Sequence, residues 1–138
     1  YNAQESLRFI RGVLDLEFGA PDLTSYRKIL EAGDHQALAR IVSRYPIVAT
    51  DPTYDSINPL SLLVNVPNET NGLKSAEILI ENQANVDGPL GIEQTPLIKA
   101  TVKKKSSFVR LFLSAKAKTE LKDEEGKSAL IHAVEQNN

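Results

Sequence analysis

The chain contains no cysteine, which excludes a disulfide framework, a thiolate metal site and a cysteine nucleophile. The absence fits an intracellular protein, in cytoplasm or nucleus. No run of 18 apolar residues occurs, so no segment is expected to span a membrane as a helix. An excess of one charge is also lacking, since sixteen Lys and Arg face eighteen Asp and Glu for a net charge of −2. That balance excludes a globally basic nucleic-acid binder but leaves room for a local basic patch. No signal-peptide pattern follows Tyr1, and the sequence reads as a fragment of a larger chain. What is present, 138 residues of which 41% are hydrophobic and 25% charged, suffices for one domain with its own core.

Catalytic constellations are equally scarce. The only histidines are His35 and His132, far apart in sequence, whereas a zinc site needs three or four converging ligands. Both are expected in structural or surface roles. No serine stands in a Gly-x-Ser-x-Gly turn. The one Gly-rich stretch, Gly88-Pro89-Leu90-Gly91, lacks the Lys-Ser/Thr of a phosphate loop and reads as a turn. The expectation is a non-enzyme without metal or cofactor.

The chain does repeat itself. Thr95-Pro96-Leu97-Ile98-Lys99-Ala100 returns as Ser128-Ala129-Leu130-Ile131-His132-Ala133, an offset of 33 residues. Ala76-Glu77-Ile78-Leu79-Ile80-Glu81 returns as Val109-Arg110-Leu111-Phe112-Leu113-Ser114, again at 33. An earlier copy opens at Asn58-Pro59-Leu60, at an offset of 37, with the four extra residues read as Pro67-Asn68-Glu69-Thr70 in the loop between two helices. Asn58, Thr95 and Ser128 are all suited to cap a helix N-terminus, and Pro59 and Pro96 suit the first helical position. Phe108, Val109, Leu111, Phe112 and Leu113 make a second helix that is apolar on most sides and must lie between neighbours. Each unit is therefore two short helices that cannot bury their own apolar faces alone. Leu97, Ala100, Leu111, Phe112, Leu130 and Ala133 are the expected core.

Thr95-Pro96-Leu97 opening a 33-residue unit, and the turn Asp123-Glu124-Glu125-Gly126-Lys127-Ser128, resemble the ankyrin repeat. The resemblance runs from about Ser25 to the end and is strongest from Leu73. It implies an all-α solenoid of stacked helix-turn-helix units: a helix over residues 1–20 capping a repeat domain over 21–138, with units at 25–57, 58–94, 95–127 and a partial one at 128–138. Two departures stand out. The family's histidine is Ile98 in one unit and Ile131 in the next, and the glycine that closes the second helix is Gln83 and Lys116. A non-glycine residue in that left-handed position costs roughly 1 kcal/mol.

Toward the N-terminus, Tyr26 to Ala32 reads as a helix closed by Gly33, and Asp34 caps a second one that ends before Pro46. Leu7, Ile10, Val13, Leu14 and Phe18 place a further helix over Glu5 to Phe18, either the cap of the stack or the tail of a neighbouring domain. At the other end Asn138 falls where the last unit's turn is due, so further repeats are expected in the parent chain.

The resemblance also implies where a partner is held: hairpin tips and the exposed ends of first helices, lining a concave face. Carried over by position, these are Tyr54, Asp55 and Ile57, then Leu90, Ile92 and Gln94, then Glu124, Glu125 and Lys127. The helix ends add Asn65 and Val66, Val102 and Lys103, and Glu135 and Gln136. Tyr54, Val66, Ile92 and Val102 are apolar where a merely solvated surface would be polar. Tyr54 is the best aromatic anchor, with packing against the preceding turn as its alternative role. Lys103-Lys104-Lys105, near Lys99 and Lys127, is either a landing site for an acidic segment or a solvated turn. Nucleic acid is the weaker partner, because no aromatics are interleaved with the lysines. Three functions fit: a scaffold or adaptor for a protein or peptide, a regulatory domain packing within a larger enzyme or channel, or a nucleic-acid-associated adaptor.

Overall fold

A computed structural model describes residues 21–89 and 94–137. The helix expected over Glu5 to Phe18, together with Leu90 and Ile92, lies outside the described residues. Within them the chain is helical, and a lone antiparallel bridge between Lys122 and Ser128 is the extended pairing they contain.

The chain opens with α1 (Leu23–Ala32), whose N-terminus is capped by Asp22 accepting from the Ser25 amide at 2.8 Å. Gly33 closes it at φ +67°, and a Cβ there would stand 2.7 Å from Val66 Cγ1. Asp34 then caps α2 (His35–Arg44) through the Ala37 amide. Tyr45, held out of the helical region by Pro46, ends α2. A 3-10 helix (Pro46–Ala49) and the one-turn α3 (Pro52–Asp55) follow, where a hairpin was expected.

Next come α4 (Pro59–Val64) and α5 (Glu69–Glu81), then α6 (Pro96–Val102) and α7 (Ser106–Ser114), then α8 (Ala129–Gln136). Thr95 and Ser128 cap α6 and α8 as their side chains predict, accepting from the Ile98 and Ile131 amides. Asn58 departs from this pattern. It sits at φ +54° with no side-chain cap bond, and only its backbone carbonyl serves α4, through the Leu62 amide.

The four-residue insertion also lies elsewhere than expected. Asn68 caps α5 by accepting from the Asn71 amide at 3.2 Å, so Glu69 and Thr70 are already helical. The extra residues lengthen the helix itself, 13 residues in α5 against 9 in α7. Four residues are close to one full turn, so the apolar face is nearly restored and the insertion needs no loop.

Packing places the helices in two rows. α1, α4, α6 and α8 touch in sequence, and α2, α5 and α7 form the second row behind them. Tyr26, Leu30, Leu38, Val42, Leu63, Leu79, Leu97, Ile98, Phe108 and Phe112 form the core between rows. Gly72 shows how closely the rows meet: a Cβ there would come within 2.8 Å of the Leu63 carbonyl and 3.0 Å of Phe108 Cζ. Among the expected core residues, Leu97, Ala100 and Phe112 are buried. Leu111 and Ala133 are half-buried, and Leu130 is 70% exposed, because the described residues set no helix over that side of α8.

Besides α1, where left-handed Gly33 lets the Asp34 amide reach the Ile29 carbonyl, three helices end in the same turn. In α5, α6 and α7 the carbonyl three residues from the helix end accepts the amide five positions on, seen as Ala84 N to Leu79 O, Lys105 N to Ala100 O and Ala117 N to Phe112 O. This is the Schellman arrangement, and it requires a left-handed residue. Gln83 (φ +73°) and Lys116 (φ +67°) occupy that position, as the sequence predicts, and Lys104 (φ +58°) does so unforeseen.

Candidate recognition surface

The C-terminal ends of the first-row helices lie side by side. Asn65 and Lys103 follow α4 and α6 directly, and Glu135 lies in the last turn of α8; all three are exposed. A shallow hollow of about 210 Å³, lined by Glu31, Leu62 and Asn65, joins α1 to α4. Gln136 Nε2 donates to the Val102 carbonyl at 2.9 Å and ties α8 to α6. Helix ends of the first row thus meet between α1 and α4 and between α6 and α8, with Asn65, Lys103 and Glu135 exposed along them.

Two of the expected surface residues are buried. Tyr54 is buried, with its ring edge-on to Tyr26 at 5.2 Å and its hydroxyl donating to the Pro21 carbonyl at 2.7 Å. The turn α3 folds it inward against Tyr26 of α1, so Tyr54 is a core residue and not an exposed anchor, and its ring partner is α1 where the preceding turn was expected. Val66 is also buried, at 3% exposure, because it fills the space beside Gly33 and Gly72. Asp55 and Ile57 are half-buried on the same short turn. Burial raises the Asp55 carboxyl above its ordinary value. Gln94 and Val102 are half-exposed, and Lys103, Glu124 and Glu125 are exposed.

The last hairpin is built on Asp123. Its Oδ1 accepts the Glu125 and Lys127 amides at 2.9 and 3.0 Å, and its Oδ2 meets His132 Nε2 at 2.6 Å. The Lys127 amide first, then His132, hold the carboxyl below the usual carboxylate range. His132 is thus a structural clasp between the hairpin and α8. Lys127 Nζ lies 3.3 Å from Glu125 and 3.1 Å from Glu135, and Glu135 followed by Glu125 raises its pKa. One unit earlier, Asp87 Oδ1 accepts the Lys118 amide at 2.9 Å and links successive turns.

The lysines at the end of α6 have no such partners. Lys99 is half-buried, and burial first, then Lys103, lowers its pKa. Among the described residues no carboxylate pairs with Lys99, Lys103, Lys104 or Lys105.

Among the described residues no three His, Cys, Asp or Glu side chains converge as metal ligands, and no helix is long and apolar enough to cross a membrane. No family model matches the chain, and no curated protein or solved structure matches it either.

Proposed function

We propose that the chain is an ankyrin-type solenoid that serves as a protein–protein recognition module, a scaffold or adaptor holding a protein or peptide along the strip of first-row helix ends. One observation carries this reading. At the same position of successive units the chain places Asn65, Val102 and Glu135; Asn65 and Glu135 are exposed, and Val102 is half-exposed at the edge of the core. Position-matched residues with exposed surface are what a repeat scaffold offers for recognition. The 33-residue period, the capped first helices and the Asp123–Ser128 hairpin support the same reading. So does the polar character of the strip, which suits a non-obligate interface with a rim of charge. The reading assigns no catalysis to the chain.

The test compares two faces of the chain. Asn65→Arg with Glu135→Arg alters the strip, and Glu77→Arg with Arg110→Glu alters exposed positions of the second row. Each is immobilised beside the unaltered chain and the retained proteins are compared. The first pair should lose the partner and the second should keep it. Loss confined to the second-row pair would place recognition there and refute the proposal.

A further inference from the structure

The turn after α6 concentrates positive charge in a fixed geometry. Lys103 N bonds to Lys99 O, Lys104 N to Thr101 O and Lys105 N to Ala100 O, at 2.9 to 3.0 Å. Three consecutive lysines are thereby held by their own backbone. Lys104 sits at φ +58°, where glycine is the ordinary choice, so the position keeps a charged side chain against its conformational preference. One turn back, Lys99 points a fourth ammonium into a half-buried setting. Like charges brought together and partly desolvated favour any anion that joins them.

The described residues supply none. Lys127, in the hairpin before α8, has two carboxylates within 3.3 Å and is the one lysine so paired among the described residues. Lys99, Lys103, Lys104 and Lys105 are left without one among the described residues. Between Lys99 and Lys103 in the chain stands Val102, half-exposed. We propose that this turn docks a short acidic segment of a partner protein, with an apolar residue of that segment seated on Val102.

The surroundings set the length and class of the segment. Gln136 reaches the Val102 carbonyl, so the end of α8 borders the lysines, and α8 with the hairpin before it is acidic. Glu124, Glu125 and Glu135 are exposed there, with a single lysine, Lys127, between them. A long polyanion continuing along the strip runs into these carboxylates, whereas a segment with a few acidic residues stops short of them. Among the described residues no aromatic side chain is fully exposed as a stacking platform for nucleic-acid bases: Tyr26, Tyr54, Phe108 and Phe112 are buried and Tyr45, at the end of α2, is half-buried.

This inference rests on the protein-recognition reading and names the partner's chemistry. A fluorescein-labelled Glu-Asp-Leu-Glu-Glu peptide is titrated with the chain by anisotropy, beside its neutral Gln-Asn-Leu-Gln-Gln counterpart and a single-stranded oligonucleotide. Binding of the acidic peptide should weaken as salt rises, because the Debye length shrinks from about 10 Å at 0.1 M to about 3 Å at 1 M. Lys99→Gln with Lys103→Gln and Lys105→Gln should weaken it by about tenfold or more. Lys74→Gln with Lys118→Gln and Lys122→Gln removes the same charge elsewhere and should leave it unchanged, circular dichroism confirming that both triples fold. Equal loss in the two triples, no peptide binding, or tighter binding of the oligonucleotide would each overturn the inference. The broader reading fails separately. A partner kept by the lysine triple but lost by Asn65→Arg with Glu135→Arg leaves the recognition strip standing and removes only its acidic ligand.

Discussion

Leu97 on α6 and Leu130 on α8 hold the same position of the 33-residue unit, yet 2% of the first is exposed and 70% of the second. Ile98 and Ile131 differ likewise, at 1% and 40%. The local chemistry is the same in both: a hydroxyl cap, a short first helix and an apolar block. The surroundings are not. α6 lies between α4 and α8 with α7 behind it, whereas α8 leans on α6. A repeat's apolar pattern therefore describes what its neighbours must supply, and burial is a property of the row and not of the unit.

The comparison breaks most sharply by truncation. Leu97→Ala should cost about 2–5 kcal/mol, as for other fully buried leucines, while Leu130→Ala should stay within about 0.5 kcal/mol of the parent chain. Urea denaturation of both variants measures the contrast, and equal costs would mean that α8 is covered in solution.

A glycine comparison comes next. Gly72→Ala should destabilise by about 1–3 kcal/mol through overpacking against the Leu63 carbonyl and Phe108. An ordinary helix interior gains from the same change. Thermal melting checks the sign, and a stabilised variant would show that α4, α5 and α7 are less tightly packed than described.

Lys104→Gly should stabilise the chain by about 1 kcal/mol or less, since it relieves a left-handed lysine. Under the acidic-ligand proposal it should also weaken peptide binding. A stability gain measured by urea titration together with unchanged binding would separate the turn's geometry from its charge.

The smallest effect concerns acid and belongs to the last unit. The Asp123 carboxyl titrates below its unfolded value of 3.8. Its contribution is therefore complete above that pH and is lost as pH falls through the lowered folded value. The protection factors of the Glu125 and Lys127 amides, measured by hydrogen exchange against the intrinsic rate at each pH, should fall in acid before those in α6 do. Asp123→Asn should show fast exchange there already at neutral pH.

Much of this frame was legible in the sequence, and the reasons are local. Capping by Asp34, Thr95 and Ser128 depends on residues three positions apart, and the left-handed Gln83 and Lys116 follow from where the second helices end. Tyr54 and Val66 were misplaced for a different reason. The period carried hairpin positions onto Tyr54, Asp55 and Ile57, where the chain folds instead as α3 and the turn after it and turns Tyr54 inward. Val66 is buried because two glycines open space for it, and glycines in sequence do not say which side chain will fill them. The His132–Asp123 clasp joins residues nine apart across a turn, a distance that no helix or strand period connects. The left-handed backbone of Lys104 is hidden in the sequence because a lysine run reads as charge before it reads as backbone.

The extra turn of α5 has a consequence for how the chain finds its register. Units of equal length invite a slipped alignment, in which one second helix takes another's berth and the rows close one unit out of step. α5, at 13 residues beside the 10 of α2 and the 9 of α7, is about 6 Å longer than α7 and does not fit its slot. It works as a keyed tooth in an otherwise even rack, so the correct alignment is the one in which that tooth has room.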